Sequence, residues 1–200
     1  MEQHILLDEI PSLDLAHFTN GTQEEKQQFV QALGAAFNTI GFIALKNHGL
    51  SEEVRVQLYT AVERFFSLSD AQKQAYEFTE LAGQRGYIGK GKEKAKGHTK
   101  PDLKEFYHVG QPNPLPHMPQ NVFPEEVPEF KEWTLHTYKI FEQTGKTLLR
   151  AIALYLELPE DYFEEKVHQG RGQGDAQGHG EDGYLHLPVL LRCADFRRHR

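Results

Sequence analysis

The sequence contains one cysteine, Cys193, so no internal disulfide can staple the fold. It has no apolar run near the ~18 residues that a membrane span needs. The N-terminal stretch MEQHILLDEIPSLDL carries acids where a signal peptide would carry basic residues. There is no internal repeat and no phosphate-loop consensus: Gly89-x-Gly91 lacks the strand–turn–helix setting such a loop requires. Excess positive charge is also missing. The formal net charge of −7 gives no basic surface for nucleic acid. These absences lead to an expectation of a cytoplasmic protein with neither a membrane nor a nucleic-acid partner. Its 200 residues, 38% of them hydrophobic, suffice for a packed core.

Local pattern organises the first 169 residues. Ile10-Pro11-Ser12-Leu13-Asp14-Leu15 alternates apolar and polar residues and reads as a short strand. Thr22 with Glu25 is a capping box that opens a helix whose buried face is Phe29, Leu33, Phe37 and Ile40, and Gly41 is placed to end it. Phe42 to Leu45 reads as a buried strand, and Asn47-His48-Gly49 as a turn. Ser51 caps the next helix, with Val54, Leu58, Ala61, Val62 and Phe65 on its inner stripe. Ser69 with Gln72 repeats the capping box and starts a helix expected to end near Phe78.

From Gly83 to Lys100 glycines alternate with Lys90, Lys92, Lys94, Lys96 and Lys100, the pattern of a long loop, hairpin-like around Tyr87 and Ile88. Leu103 to Val109 reads as a strand, and the proline-rich stretch from Gln111 to Pro124 as an extended connection. A long helix from about 127 to 156 follows, with Phe130, Trp133, Thr137, Phe141, Leu148, Ile152 and Tyr155 on one face. Glu160 to Val167 reads as one more short helix.

The tail is different in kind. Residues 170–200 hold five arginines and no lysine, against thirteen lysines and four arginines in residues 1–169. Six glycines fall between Gly170 and Gly183, a run that orders only at high entropic cost. The expected organisation is therefore residues 1–169 as one domain and residues 170–200 as an atypical Gly/Arg-rich tail, disordered or frame-shifted. Tyr184 to Leu191 is the one strand-like stretch in it, interrupted by Pro188.

Four signatures occur in order: Ile10-Pro11-x-Leu13-Asp14-Leu15; Gly41-Phe42-Ile43 with Asn47-His48-Gly49; Phe65-Phe66-x-Leu68 with Lys73 and later Gly86-Tyr87; and Asp102-x-Lys104-Glu105-Phe106. Together they resemble the N-terminal region of the isopenicillin N synthase-like, Fe(II)- and 2-oxoglutarate-dependent dioxygenases, over residues 8 to 169. The resemblance implies an α+β arrangement: the helices and short strands that precede a jelly-roll (double-stranded β-helix) barrel, with the barrel largely missing from this chain. It also implies Fe(II) held by two histidines and a carboxylate, 2-oxoglutarate as co-substrate, and oxidation of a small organic molecule.

In the resembling enzymes the ligands lie downstream. Here the tail offers only His179-Gly180-Glu181 with Asp182 beside it, plus His186 and His199, and no R-x-S. Eighteen residues follow Asp182, too few for the intervening barrel strands, so no residue is assigned as a metal ligand or as catalytic. Fe(II) and 2-oxoglutarate are thus implied by the family but not expected on this chain, which is expected to be inactive.

Arg85 and Tyr87 are the substrate-binding candidates, because the resemblance places their loop near the active-site mouth. His48 is read as a turn residue, and Asp102, Lys104 and Glu105 as a salt-bridge or turn group, with Glu105 facing away from the other two. The lysine run reads as solvated rather than as an anion site. A second reading, from another class, is a non-catalytic helical module. The apolar surface that a missing barrel leaves uncovered would then bind a partner or drive self-association.

Overall fold

The computed structural model describes residues 10–81, 83–92, 103–114 and 118–164, together with the backbone of residues 189–192. The chain divides into two compact units, residues 1–49 with 140–184 and residues 50–139 with 185–200.

In the first unit, β1 (Ser12–Asp14) pairs in parallel with β2 (Ala44–Lys46), Leu13 opposite Leu45. Asp14 ends β1 and caps the next element, accepting a hydrogen bond from the Ala16 amide at 2.9 Å, so the chain turns at once into α1 (Leu15–Thr19). Leu15, expected at the end of a strand, is instead the first buried residue of that helix. α2 (Gln23–Thr39) starts at the expected capping box: Thr22 Oγ1 accepts from the Glu25 amide, and the Glu25 carboxylate accepts from the Thr22 amide at 2.7 Å. Leu15, Phe18, Phe29, Val30, Leu33 and Ala151 form the buried core of this unit. Phe37 and Phe42, expected inside, are 37% and 52% exposed. Ile43 and Leu45 pack against the core, so the alternation puts Phe42 on the opposite, outward face with Ala44.

In the second unit, α3 (Glu52–Phe66) is capped by Ser51 and buries Leu58, Ala61, Val62, Phe65 and Phe66. α4 (Asp70–Gln74) begins at the Ser69–Gln72 capping box but ends well before Phe78, and a single 3₁₀ turn follows at Thr79–Leu81. The Lys73 and Gln74 carbonyls accept from the Tyr76 and Glu77 amides, three residues on, which ends the α-helical ladder. The Tyr76 carbonyl accepts from the Tyr87 amide at 2.8 Å and ties the chain to β3 (Gly86–Ile88). β3 pairs antiparallel with β4 (Phe106–Val109), Tyr87 opposite Tyr107, and β4 pairs antiparallel with β5 (Val189–Arg192).

Rings fill this unit. Phe65 is fully buried, with its centroid 4.9 Å from Tyr107, 5.4 Å from Phe130 and 5.9 Å from Tyr87. Buried side chains gather in each unit, around Leu33 in the first and Phe65 in the second. The long helix α5 (Pro128–Tyr155) supplies Phe130 to the second unit and Ala151 to the first. Helical periodicity alone cannot say that one stripe serves two cores. Of the short helix expected after Glu160, residues 162–164 form a helical turn, and residues 165–167 lie outside the described residues. No closed barrel is present among the described residues.

Candidate functional site

The four sequence signatures meet in pairs. In the first unit, Asn47 takes the left-handed conformation (φ 53°), as does Gly49 (φ 86°), which makes the expected turn. The Asn47 side-chain amide then donates to both oxygens of Asp14, at 2.8 Å each, which joins the second signature to the first. These bonds, with that from the Ala16 amide, hold the Asp14 carboxyl below its ordinary pKa. His48 contributes its carbonyl, which accepts from Thr144 Oγ1 at 2.7 Å.

In the second unit the third and fourth signatures meet at Glu105. Its carboxylate is buried, accepts from Lys73 Nζ at 2.8 Å and from Tyr87 Oη at 2.6 Å, and lies 3.5 Å from Lys90 Nζ. Burial pushes the Glu105 carboxyl up, but the bonds from Lys73 and Tyr87 and the charges of Lys73 and Lys90 together hold it below its ordinary value. For Lys73, burial acts downward, and the bonds and charges of Glu105 and Asp70 outweigh it, so its pKa is raised. Burial and the adjacent carboxylate push the Tyr87 phenol far up, so it stays a donor. Glu105 is thus a structural ion pair, as read from its pattern. The alternation expected for residues 102–105 does not hold, because the strand begins only at Phe106. Lys104 lies over the Phe106 ring, and Asp102 falls outside the described residues.

An open polar cleft of about 440 Å³ lies beside this network, lined by Asp70, Glu77, Tyr87, Lys90, Lys92 and Glu105 among others. Its charges are matched: Lys73 lies 3.3 Å from Asp70 and Lys92 lies 3.1 Å from Glu77. Lys90 and Lys92, expected to be solvated, are exposed but paired, while Lys94, Lys96 and Lys100 lie outside the described residues.

Arg85 and Tyr87, named together from the sequence, are not brought together. Arg85 precedes β3, and Gly86 between them has φ 81°, a conformation that breaks strand alternation and that glycine adopts without strain. A Cβ on Gly86 would also collide with the Tyr76 carbonyl. Tyr87 therefore lines the cleft, and Arg85 packs against Gly110 at the end of β4, where a Cβ would collide with the guanidinium. Arg85 is only 5% exposed. Its Nη1 donates to the Gln84 carbonyl at 2.7 Å, while Nε and Nη2 have no hydrogen-bond partner among the described residues. Burial pushes its pKa down, opposed by Tyr138.

Gly110 is itself held in place. Its amide donates to Asn121 Oδ1 at 2.8 Å, and Asn121 Nδ2 donates back to the Gly110 and Gln111 carbonyls at 2.9 and 3.0 Å. No sequence signature marks this clamp. Its only signal is an asparagine set in a proline-rich connection, which has no fixed partner at the level of pattern.

Among the described residues no group of three or more His, Cys, Asp or Glu side chains could hold a metal ion. His179, Glu181, Asp182, His186 and His199 lie outside the described residues. The described residues do not supply an iron site. No described helix is long and apolar enough to cross a membrane.

Comparison with known proteins agrees with the order of the signatures. Residues 10–129 match the family model for the N-terminal region of non-haem dioxygenases, described as that of the dioxygenase in morphine synthesis. The 2-oxoglutarate-dependent dioxygenase ecdK of Aspergillus rugulosus is 32% identical over 177 residues, covering 78% of this chain and 52% of that protein. Among solved structures, a 2OG-Fe(II) oxygenase family protein of Caulobacter crescentus is 34% identical with a TM-score of 0.69, over 80% of this chain and 52% of its own. A full-length Neurospora crassa protein in complex with alpha-KG is 27% identical with a TM-score of 0.70, over 81% of this chain and 51% of its own. The chain spans about half the length of the curated relatives it matches. It belongs to the 2-oxoglutarate/Fe(II)-dependent dioxygenase family, to which it corresponds in the N-terminal region.

Proposed function

We propose that this chain is the N-terminal region of an Fe(II)/2-oxoglutarate-dependent oxidoreductase that acts on a small organic molecule. The observation that carries the reading is the family match over residues 10–129 in a chain that spans about half of its relatives. Asp14–Asn47 and Lys73–Glu105–Tyr87 hold the helices and short strands in place. Arg85, with two nitrogens unpartnered among the described residues, is the candidate to meet a substrate. Tyr87 offers its ring to the cleft while its hydroxyl is committed to Glu105.

The 200-residue chain alone is proposed to turn over little or no 2-oxoglutarate, since its described residues bring no ligand set together. The assay is oxygen-dependent succinate release by the purified chain with Fe(II) and 2-oxoglutarate. The expected result is release at the level of the protein-free control, and robust turnover would overturn the proposal.

A further inference from the structure

We propose that the Arg85 guanidinium receives the carboxylate of a small organic acid through its Nε–Nη2 edge. The inference rests on the reading that this region faces the substrate, and it adds the substrate's chemical class.

The two atoms without partners are the ones that matter for this chemistry. A guanidinium grips a carboxylate with two parallel N–H donors, and its side-on fork is the Nε–H with the adjacent Nη2–H. That edge of Arg85 lacks a hydrogen-bond partner among the described residues, while Nη1 is anchored on the Gln84 carbonyl and fixes the plane. A buried guanidinium with no counter-charge is costly, and a fold keeps such a group only where something else compensates.

The same unit shows that it can neutralise a buried charge. Glu105, equally buried, has Lys73, Lys90 and Tyr87 around it. Among the described residues the titratable group that acts on Arg85 is the Tyr138 phenol, not a carboxylate. The surroundings of Arg85 are also shaped for it. Gly110 clears the space that any Cβ would fill, and Asn121 holds the Gly110 backbone at both its amide and its carbonyl. The site is therefore built to admit a guanidinium and not to cancel its charge. A planar anion with two oxygens is the complement.

The test uses the whole 200-residue chain and sodium acetate, the bare carboxylate, against sodium chloride at equal ionic strength. Thermal melting and the ¹⁵Nε resonance of Arg85 are read together. Acetate is expected to raise Tm and shift that resonance. Arg85→Lys keeps the charge but loses the fork, and should bind acetate about tenfold more weakly. Arg85→Met should melt no lower than the parent in chloride and show no acetate-specific shift.

Three results would overturn the proposal: no acetate response in the parent, the same response in Arg85→Met, or an Arg85→Met chain that melts lower or fails to fold. The last would mark Arg85 as structural. Iron and co-substrate are absent from these measurements. A chain that releases no succinate can still bind acetate, and failure to bind acetate leaves the oxygenase reading standing.

Discussion

Glu105 and Arg85 are both 5% exposed, both belong to the second unit, and both carry full charges, yet the fold treats them oppositely. Around Glu105 every oxygen has a donor or a cation: Lys73 and Tyr87 on one, Lys90 near the other. Around Arg85 two of the three guanidinium nitrogens have no partner among the described residues, and the group packs against a glycine backbone fixed by Asn121. A buried charge that is fully paired ties elements together, and its loss is felt as stability. A buried charge left open lowers stability, and its value must lie in what it binds.

The comparison can be broken most forcefully at Glu105. Glu105→Ala strands Lys73 without its buried partner and should cost about 3–5 kcal/mol by urea unfolding. A loss below about 1 kcal/mol would demote the pair to a surface contact. The same pair sets a pH dependence. The folded pKa of Glu105 lies below the ordinary 4.5, so its stabilisation is complete above that value and fades as pH falls through the folded pKa. The folded pKa of Lys73 lies above the ordinary 10.5, so its share is complete below that value and fades as pH rises past it. Melting temperatures should therefore hold between these limits and fall beyond both. In Glu105→Gln the acid-side loss from this pair should vanish.

Tyr87→Phe removes one donor from a charged acceptor and should cost about 2 kcal/mol, with the ring packing on Phe65 kept. Gly110→Ala comes next. Its new Cβ would collide with the Arg85 guanidinium and should cost about 1–2 kcal/mol, most of it recovered in an Arg85→Ala background. An unchanged cost in the double variant would mean that Gly110 is needed for its backbone alone.

What the sequence made legible follows from how far each interaction reaches along the chain. The caps at Thr22, Ser51 and Ser69 close within three residues, and each is found where the pattern placed it. The turn at Asn47 and Gly49 is equally local. The partners of the signatures are not local. Asn47 reaches Asp14 across 33 residues and Lys73 reaches Glu105 across 32, so the motifs could be seen in order while the bonds that explain them could not.

Boundaries shift where backbone pairing departs from the side-chain pattern. The last carbonyls of α4 are taken in tighter turns, Lys73 by the Tyr76 amide and Gln74 by the Glu77 amide. β4 starts at Phe106 because its partner β3 ends opposite it at Ile88. The resemblance names Arg85 and Tyr87 together, but the positive φ of Gly86 separates their side chains, and no spacing rule conveys that.

The most direct test of the difference between the two charges is a side-by-side urea unfolding of Lys73→Met and Arg85→Met in one carboxylate-free buffer. Lys73→Met should lose about 3 kcal/mol or more, because it leaves Glu105 buried without its main cation. Arg85→Met should stay within about 0.5 kcal/mol of the parent or exceed it. Equal losses in the two variants would contradict the account, since Arg85 would then be held by a partner and be as structural as Lys73.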